Sequence, residues 1–176
     1  KVHLYGTFYC TRPAVTLMRK QRWGRIVNMT SGAGLTGALG TSNYGAAKAG
    51  IVGFTRCCAM ELGRYGITVN AIAPFAVTRL EEQTHEALVK SGIIKFPAGG
   101  APPENVAIFT AYLATEDAAA INGCTFSVMG GRIDLNTDPV PVKSIFCNGR
   151  WTLEELIDYM PHSLAENLPQ PAAPRG

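Results

Sequence analysis

Ser31, Tyr44 and Lys48 are the residues of this chain whose types and spacing suggest chemistry. Tyr44 and Lys48 stand four apart in NYGAAKAG, so on a helix both side chains leave one face. An ammonium close to a phenol favours the phenolate. Bringing a phenol from its reference pKa near 10 to about 7 takes roughly 4 kcal/mol. One lysine partly open to water supplies less, so a second positive charge, such as a cationic cofactor ring, has to help. Ser31 closes a β-rich run, and open α/β sheets bind ligands outside such strand ends. A serine hydroxyl there could hold a substrate oxygen while Tyr44 exchanges its proton. Tyr and Lys four apart, or a Ser at a strand end, are also ordinary structural features. The three residues alone leave both readings open.

Between them lies Gly32-Ala33-Gly34-Leu35-Thr36-Gly37, which spells G-x-G-x-x-G. A dinucleotide loop must open directly into a helix whose first amides meet the pyrophosphate. It also wants an acidic residue about twenty positions on, to hold the ribose. Here Gly37 runs into Ala38-Leu39-Gly40-Thr41-Ser42, and the first acidic residue that follows is Glu61, inside a predicted helix. The context fails. These glycines are expected to let a backbone turn pass close to a ligand.

The elements that must position these residues follow from hydrophobic spacing. Leu4, Phe8, Thr11, Val15 and Met18 recur at helical intervals, predicting a helix over 2–21 with a kink at Pro13. Residues 25–30 and 67–72 read as buried strands, the second stopped by Pro74, and 125–129 as a third. A loop over 32–42, a long helix over 43–65, a helical piece over 80–91 and a helix over 103–115 complete the pattern. Helix and strand alternate, so the fold class is α/β with a parallel sheet. Residues 1–138 form the main domain, and 139–176 an extension. In the extension Thr152 and Glu155 form a capping box, Pro161 stops the helix it opens, and residues 168–176 read as a disordered Pro/Ala-rich tail.

Composition narrows the classes. Of 176 residues, 47% are apolar and 16% charged, which describes a well-buried globular chain. A net charge of +3 argues for no nucleic-acid partner, and Arg19, Lys20, Arg22 and Arg25 read as a solvated helix end. The five cysteines form no C-x-x-C pair and share no ligand spacing with the three histidines, which predicts no metal and a reducing compartment. No apolar run approaches the ~18 residues of a membrane span, and no signal peptide or peroxisomal address is evident, so a cytoplasmic location is expected. The chain opens at Lys1, inside a predicted helix, and reads as a fragment.

The Ser31…Tyr44-x-x-x-Lys48 set inside GRIVNMTSGAG…NYGAAKAGIVGFTR, with ITVNAIAP, PENVA and NG…GG placed downstream, strongly resembles the short-chain dehydrogenase/reductase family from Val2 to about Gly131. The resemblance implies the C-terminal part of a Rossmann-type doubly wound parallel sheet. It makes Tyr44 the general acid/base, Lys48 the residue that lowers its pKa and holds the nicotinamide ribose, and Ser31 the group that orients the substrate oxygen. Pro74, Val77 and Thr78 would line the nicotinamide pocket, with a substrate lid up to about Gly100. The implied cofactor is NAD or NADP. The implied reaction is hydride transfer between nicotinamide and a small-molecule alcohol or ketone, in a homodimer or homotetramer built through the helix 43–65. Gly45, Ala49, Gly50 and Gly53 make one side of that helix small, which suits packing either across a dimer or on the sheet.

Two departures point to a branch. His3 stands where the family usually has Asn, which puts a proton-relay role there in doubt, and Pro74-Phe75 replaces the usual Pro-Gly. Both resemble the dehydrogenase part of peroxisomal multifunctional enzyme type 2 and so point to a 3-hydroxyacyl-CoA substrate. A 3-oxoacyl-acyl-carrier-protein reductase and a steroid-type alcohol dehydrogenase are the alternatives. From another class, a non-catalytic binding module or an inactive truncated fragment would also fit. The family's glycine-rich cofactor loop is absent from this chain, which is therefore expected to bind nicotinamide cofactor poorly by itself.

Overall fold

The computed structural model describes residues 1–76 and 102–168. Val77, Thr78, the expected helical piece over 80–91, the expected lid and the last eight residues of the Pro/Ala-rich tail lie outside them. Contacts within the chain divide it into two compact units, Lys1–Asn136 and Thr137–Gly176.

The first unit opens with helix α1, Val2–Gln21, which runs through Pro13 without a break. Pro13 and Tyr9, whose carbonyl it leaves without a helical donor, both lie on the exposed side. Arg22 ends the helix in the left-handed conformation, its N–H on the Met18 carbonyl. Strand β1, Gly24–Met29, leads to a four-residue helix α2, Gly32–Leu35, and then to α3, Ser42–Leu62. The stretch 32–42 is thus not wholly loop. The long helix stops at Leu62, and a 3-10 helix over Gly63–Tyr65 carries the chain to Gly66 at φ 73°. A Cβ at Gly66 would stand 2.6 Å from the Arg22 carbonyl, so this turn requires glycine twice over.

Strand β2, Ile67–Phe75, follows, then α4, Glu104–Leu113, strand β3, Thr125–Met129, and β4, Arg132–Asn136. The sheet runs β1-β2-β3-β4, parallel between the first three strands and antiparallel at the last. Among the described residues, four strands, not three, therefore form it. The fourth returns through a hairpin at Gly130-Gly131, where Gly130 has φ 58°.

β2 is the central apolar strand: Ile67, Val69, Ala71, Ile72 and Ala73 have no exposed surface. Each large side chain so buried contributes about 1.5–3 kcal/mol. On one side Cys58, Ala59 and Leu62 of α3 and Val15 and Met18 of α1 pack on Ile67 and Val69. On the other, Phe109 and Leu113 of α4 pack on Ile72, Phe126 and Val128. Helices cover both faces, which is the doubly wound arrangement. Asn70, fully buried in β2, donates to the Ile121 carbonyl and accepts from the Cys124 amide, stitching β2 to the loop that feeds β3.

The second unit holds α5, Leu153–Tyr159, opened by the Thr152/Glu155 capping box and followed by a 3-10 helix over Met160–His162 that contains Pro161. Lys143 Nζ donates to the carbonyls of Ser163 and Glu166, and Trp151 packs on Tyr159.

Candidate active site

The C-terminal end of β1 is fastened to α3 through Asn28, Met29 and Thr30. Thr30, just past the strand, donates its N–H to the Ile72 carbonyl at 2.8 Å and its hydroxyl to the Lys48 carbonyl at 2.7 Å. Lys48 returns the contact, its Nζ donating to the Met29 carbonyl at 2.7 Å. Further along α3, Asn28 Nδ2 donates to Thr55 Oγ1 at 2.9 Å. The Lys48 residue is only 7% exposed, and burial pushes its ammonium below the usual lysine pKa. The side chain crosses the Tyr44 ring with Nζ 5.6 Å from the centroid.

Tyr44 lies one turn earlier on the same face, as the spacing predicts. Its amide donates to Asn43 Oδ1 at 2.8 Å, and its ring takes the His3 imidazole edge to face at 5.2 Å. Ser31 caps α2: its backbone is extended, and its Oγ accepts from the Ala33 amide at 3.3 Å.

The glycines explain how the turn that follows Ser31 packs onto α3. A Cβ on Gly34 would come within 2.6 Å of the Ala49 nitrogen and the Lys48 carbonyl carbon. One on Gly45 would meet the Ala33 carbonyl at 3.0 Å, and one on Gly32 would meet the Phe75 ring at 2.8 Å. The small helix bearing Ser31 is pressed onto α3 between Tyr44 and Lys48 because Gly34 and Gly45 let the two backbones approach. Gly37, in contrast, has φ 83° and open space around it. Gly32 and Gly34 of the G-x-G-x-x-G run thus serve close packing of this turn on Phe75 and α3. The glycine side of α3 divides in the same way: Gly45 faces α2, Gly50 faces Leu4, and Gly53 faces open space.

Pro74 is half-buried on β2 and pairs with Val128 of β3. β1 pairs with β2 only as far as Met29 and Ile72, so Pro74 costs no bond on that side. A groove of about 580 Å³ runs between α1 and β1, with His3, Asn28, Met29 and Lys48 among its walls; Ser31 and Tyr44 do not line it. His3 is the site neighbour whose contact sequence spacing could not reveal, because 41 residues separate it from Tyr44. Among the described residues no cluster of His, Cys, Asp and Glu could hold a metal ion, and no helix is long and apolar enough to cross a membrane.

Residues 1–132 match the family model described as Enoyl-(Acyl carrier protein) reductase. The chain belongs to the short-chain dehydrogenase/reductase family. A 3-oxoacyl-(acyl-carrier-protein) reductase of Synechocystis sp. is 46% identical over 134 residues, which cover 75% of this chain and 53% of that protein. A short chain dehydrogenase from Mycobacterium avium superposes with TM-score 0.79 at 36% identity, over 96% of this chain and 56% of that one. Full-length peroxisomal multifunctional enzyme type 2 from Drosophila melanogaster superposes with TM-score 0.72 at 27% identity, over 92% of this chain and 28% of that one. The chain spans about half the length of the curated relatives it matches.

Proposed function

We propose that Ser31, Tyr44 and Lys48 are the proton-handling set of an NAD(P)-dependent oxidoreductase, residues 1–138 being the C-terminal part of its catalytic domain and 139–176 an extension. The observation that carries this reading is Lys48, a buried cation fixed at both ends to β1 and laid across the Tyr44 ring. The substrate we infer is an acyl thioester with a hydroxyl or ketone at its 3-position, carried on coenzyme A or on an acyl-carrier protein. The names of the Synechocystis relative and of the multifunctional-enzyme neighbour support that class.

The nicotinamide, when bound, takes hydride from the substrate carbon or supplies it. Tyr44 receives the hydroxyl proton in the oxidative direction and returns it to the carbonyl oxygen in the reductive one. The Ser31 oxygen uses a lone pair on the Ala33 amide, which leaves its O–H to donate to the substrate oxygen. Lys48 spends one N–H on Met29 and keeps two for the ribose and the Tyr44 side. Pro74, with Val77 and Thr78, would line the nicotinamide pocket. The Ser31 and Tyr44 hydroxyls and the Lys48 ammonium offer the donors that the nicotinamide end of the cofactor calls for. The glycines of the 32–37 run do not fit its pyrophosphate, since Gly32 and Gly34 are closed by Phe75 and α3.

We also infer a homodimer or homotetramer through α3, with α1 beside it. Tyr5, Phe8 and Tyr9 stand exposed on α1, and Phe8 meets Phe54 of α3 at 6.0 Å. The test of the reading is acetoacetyl-CoA reduction with NADH or NADPH by the naturally expressed protein and by its Tyr44→Phe variant. The variant is expected to lose turnover and keep cofactor binding; undiminished turnover would contradict the reading.

A further inference from the structure

At the far end of α3 a second tyrosine is surrounded by cations. The guanidinium carbons of Arg19, Arg64 and Arg22 lie 4.5, 4.9 and 5.4 Å from the centroid of the Tyr65 ring. Arg19 Nη2 also donates to the Tyr65 hydroxyl at 2.9 Å. Burial alone would raise the phenol's pKa; the charges of Arg19 and Arg64 and their hydrogen bonds outweigh it, so Tyr65 titrates below an ordinary tyrosine. The close passage of Gly66 over the Arg22 carbonyl brings these residues together. A cleft of about 410 Å³ opens beside them, walled by Arg19, Arg64, Tyr65, Met60, Glu61 and Leu62.

The solvated-helix-end reading of these cations accounts for only part of the cluster. Two helices end here, each worth about half a negative charge, and Glu61 adds one. Against them stand three guanidiniums and Lys20 in the last turn of α1. None of the three arginines has a carboxylate within ion-pair distance among the described residues. Like charges held this close repel one another unless an anion joins them. A guanidinium carries five N–H donors, of which Arg19 spends one on the Tyr65 hydroxyl, and the remaining fork matches the oxygens of a phosphate. Three guanidiniums on one phenol form a point of charge, which fits a compact polyanion better than an extended acidic surface. The volume suits a small molecule.

We propose that the cleft walled by Arg19, Arg64 and Tyr65, with Arg22 5.4 Å from the same ring, is a binding site for an organic phosphate or diphosphate. It lies at the N-terminal ends of β1 and β2, whereas Ser31 lies at the C-terminal end of β1, so it is separate from the catalytic set. Glu61 at the wall would accept from a hydroxyl or amine on the same ligand.

Calorimetric titration of the protein with pyrophosphate tests this. Saturable binding is expected, weakened at least tenfold in Arg19→Gln/Arg64→Gln and by rising salt, and unchanged in Arg132→Gln, an exposed arginine elsewhere. Arg64→Lys keeps the charge and loses the fork, so it is expected to bind more weakly than the parent at the same thermal stability. Absence of saturable binding to the parent would overturn the proposal, as would equal binding by the double glutamine variant. Binding of poly-glutamate without binding of pyrophosphate would also overturn it, in favour of an acidic protein partner.

Discussion

A tyrosine with cations stands near each end of the α3 region, Tyr44 in the first turn of the helix and Tyr65 in the 3-10 helix that follows it, and the two are built differently. At Tyr44 the cation is one lysine, buried and tied through its carbonyl and its Nζ to the end of β1. At Tyr65 there are three arginines, all exposed, held only by the ring and its hydroxyl. A group that must pass a proton at one point needs a single cation that cannot wander, and burial with backbone anchors supplies that. A group that gathers an anion gains more from number of charges and access to water. On the proposed reading, the contrast sets proton transfer at Tyr44 against anion capture at Tyr65.

The largest expected effect comes from the proton itself. Tyr44→Phe in the turnover assay is expected to lower kcat by about 10²–10⁴-fold. Ser31→Ala removes the proposed donor to the substrate oxygen and should cost on the order of 10²-fold in kcat, with nicotinamide affinity unchanged. Gly34→Ala tests the packing that joins the two: overpacking against Lys48 and Ala49 is expected to cost about 1–3 kcal/mol in denaturant unfolding. If the glycine run were a phosphate loop, the fold would barely notice that methyl.

The smallest effect is the burial of Lys48. Its folded pKa lies below that of the unfolded chain, so between the two values the unfolded state binds more protons and stability rises with pH. Denaturation followed as the pH rises toward the ordinary lysine pKa should show that rise in the parent, and Lys48→Met should flatten it. An equal slope in both would mean that water reaches the ammonium.

Much of this arrangement was legible beforehand for physical reasons. The 3.6-residue period of Leu4, Phe8, Thr11 and Val15 set α1, and ITVNAIAP marked β2 because a strand covered on both faces is nearly all apolar. The face shared by Tyr44 and Lys48 followed from helix geometry. Two elements were not legible. α2 contains glycines that disfavour a helix, and its packing on α3 goes with the contacts at Gly34 and Gly45. β4, Arg-Ile-Asp-Leu-Asn, is short and mostly exposed, and gains its order from pairing with β3. The anchoring of Lys48 left no mark in the sequence either, since its partners are a backbone carbonyl and the hydroxyl of Thr30. Val77 and Thr78, expected beside Pro74, lie outside the described residues.

The most direct test sets the two tyrosines side by side. Turnover of acetoacetyl-CoA with NADH or NADPH is measured in parallel for the parent, Tyr44→Phe and Tyr65→Phe. The account predicts that Tyr44→Phe loses turnover while Tyr65→Phe keeps it within a few-fold. Equal losses, or a loss confined to Tyr65→Phe, would contradict it.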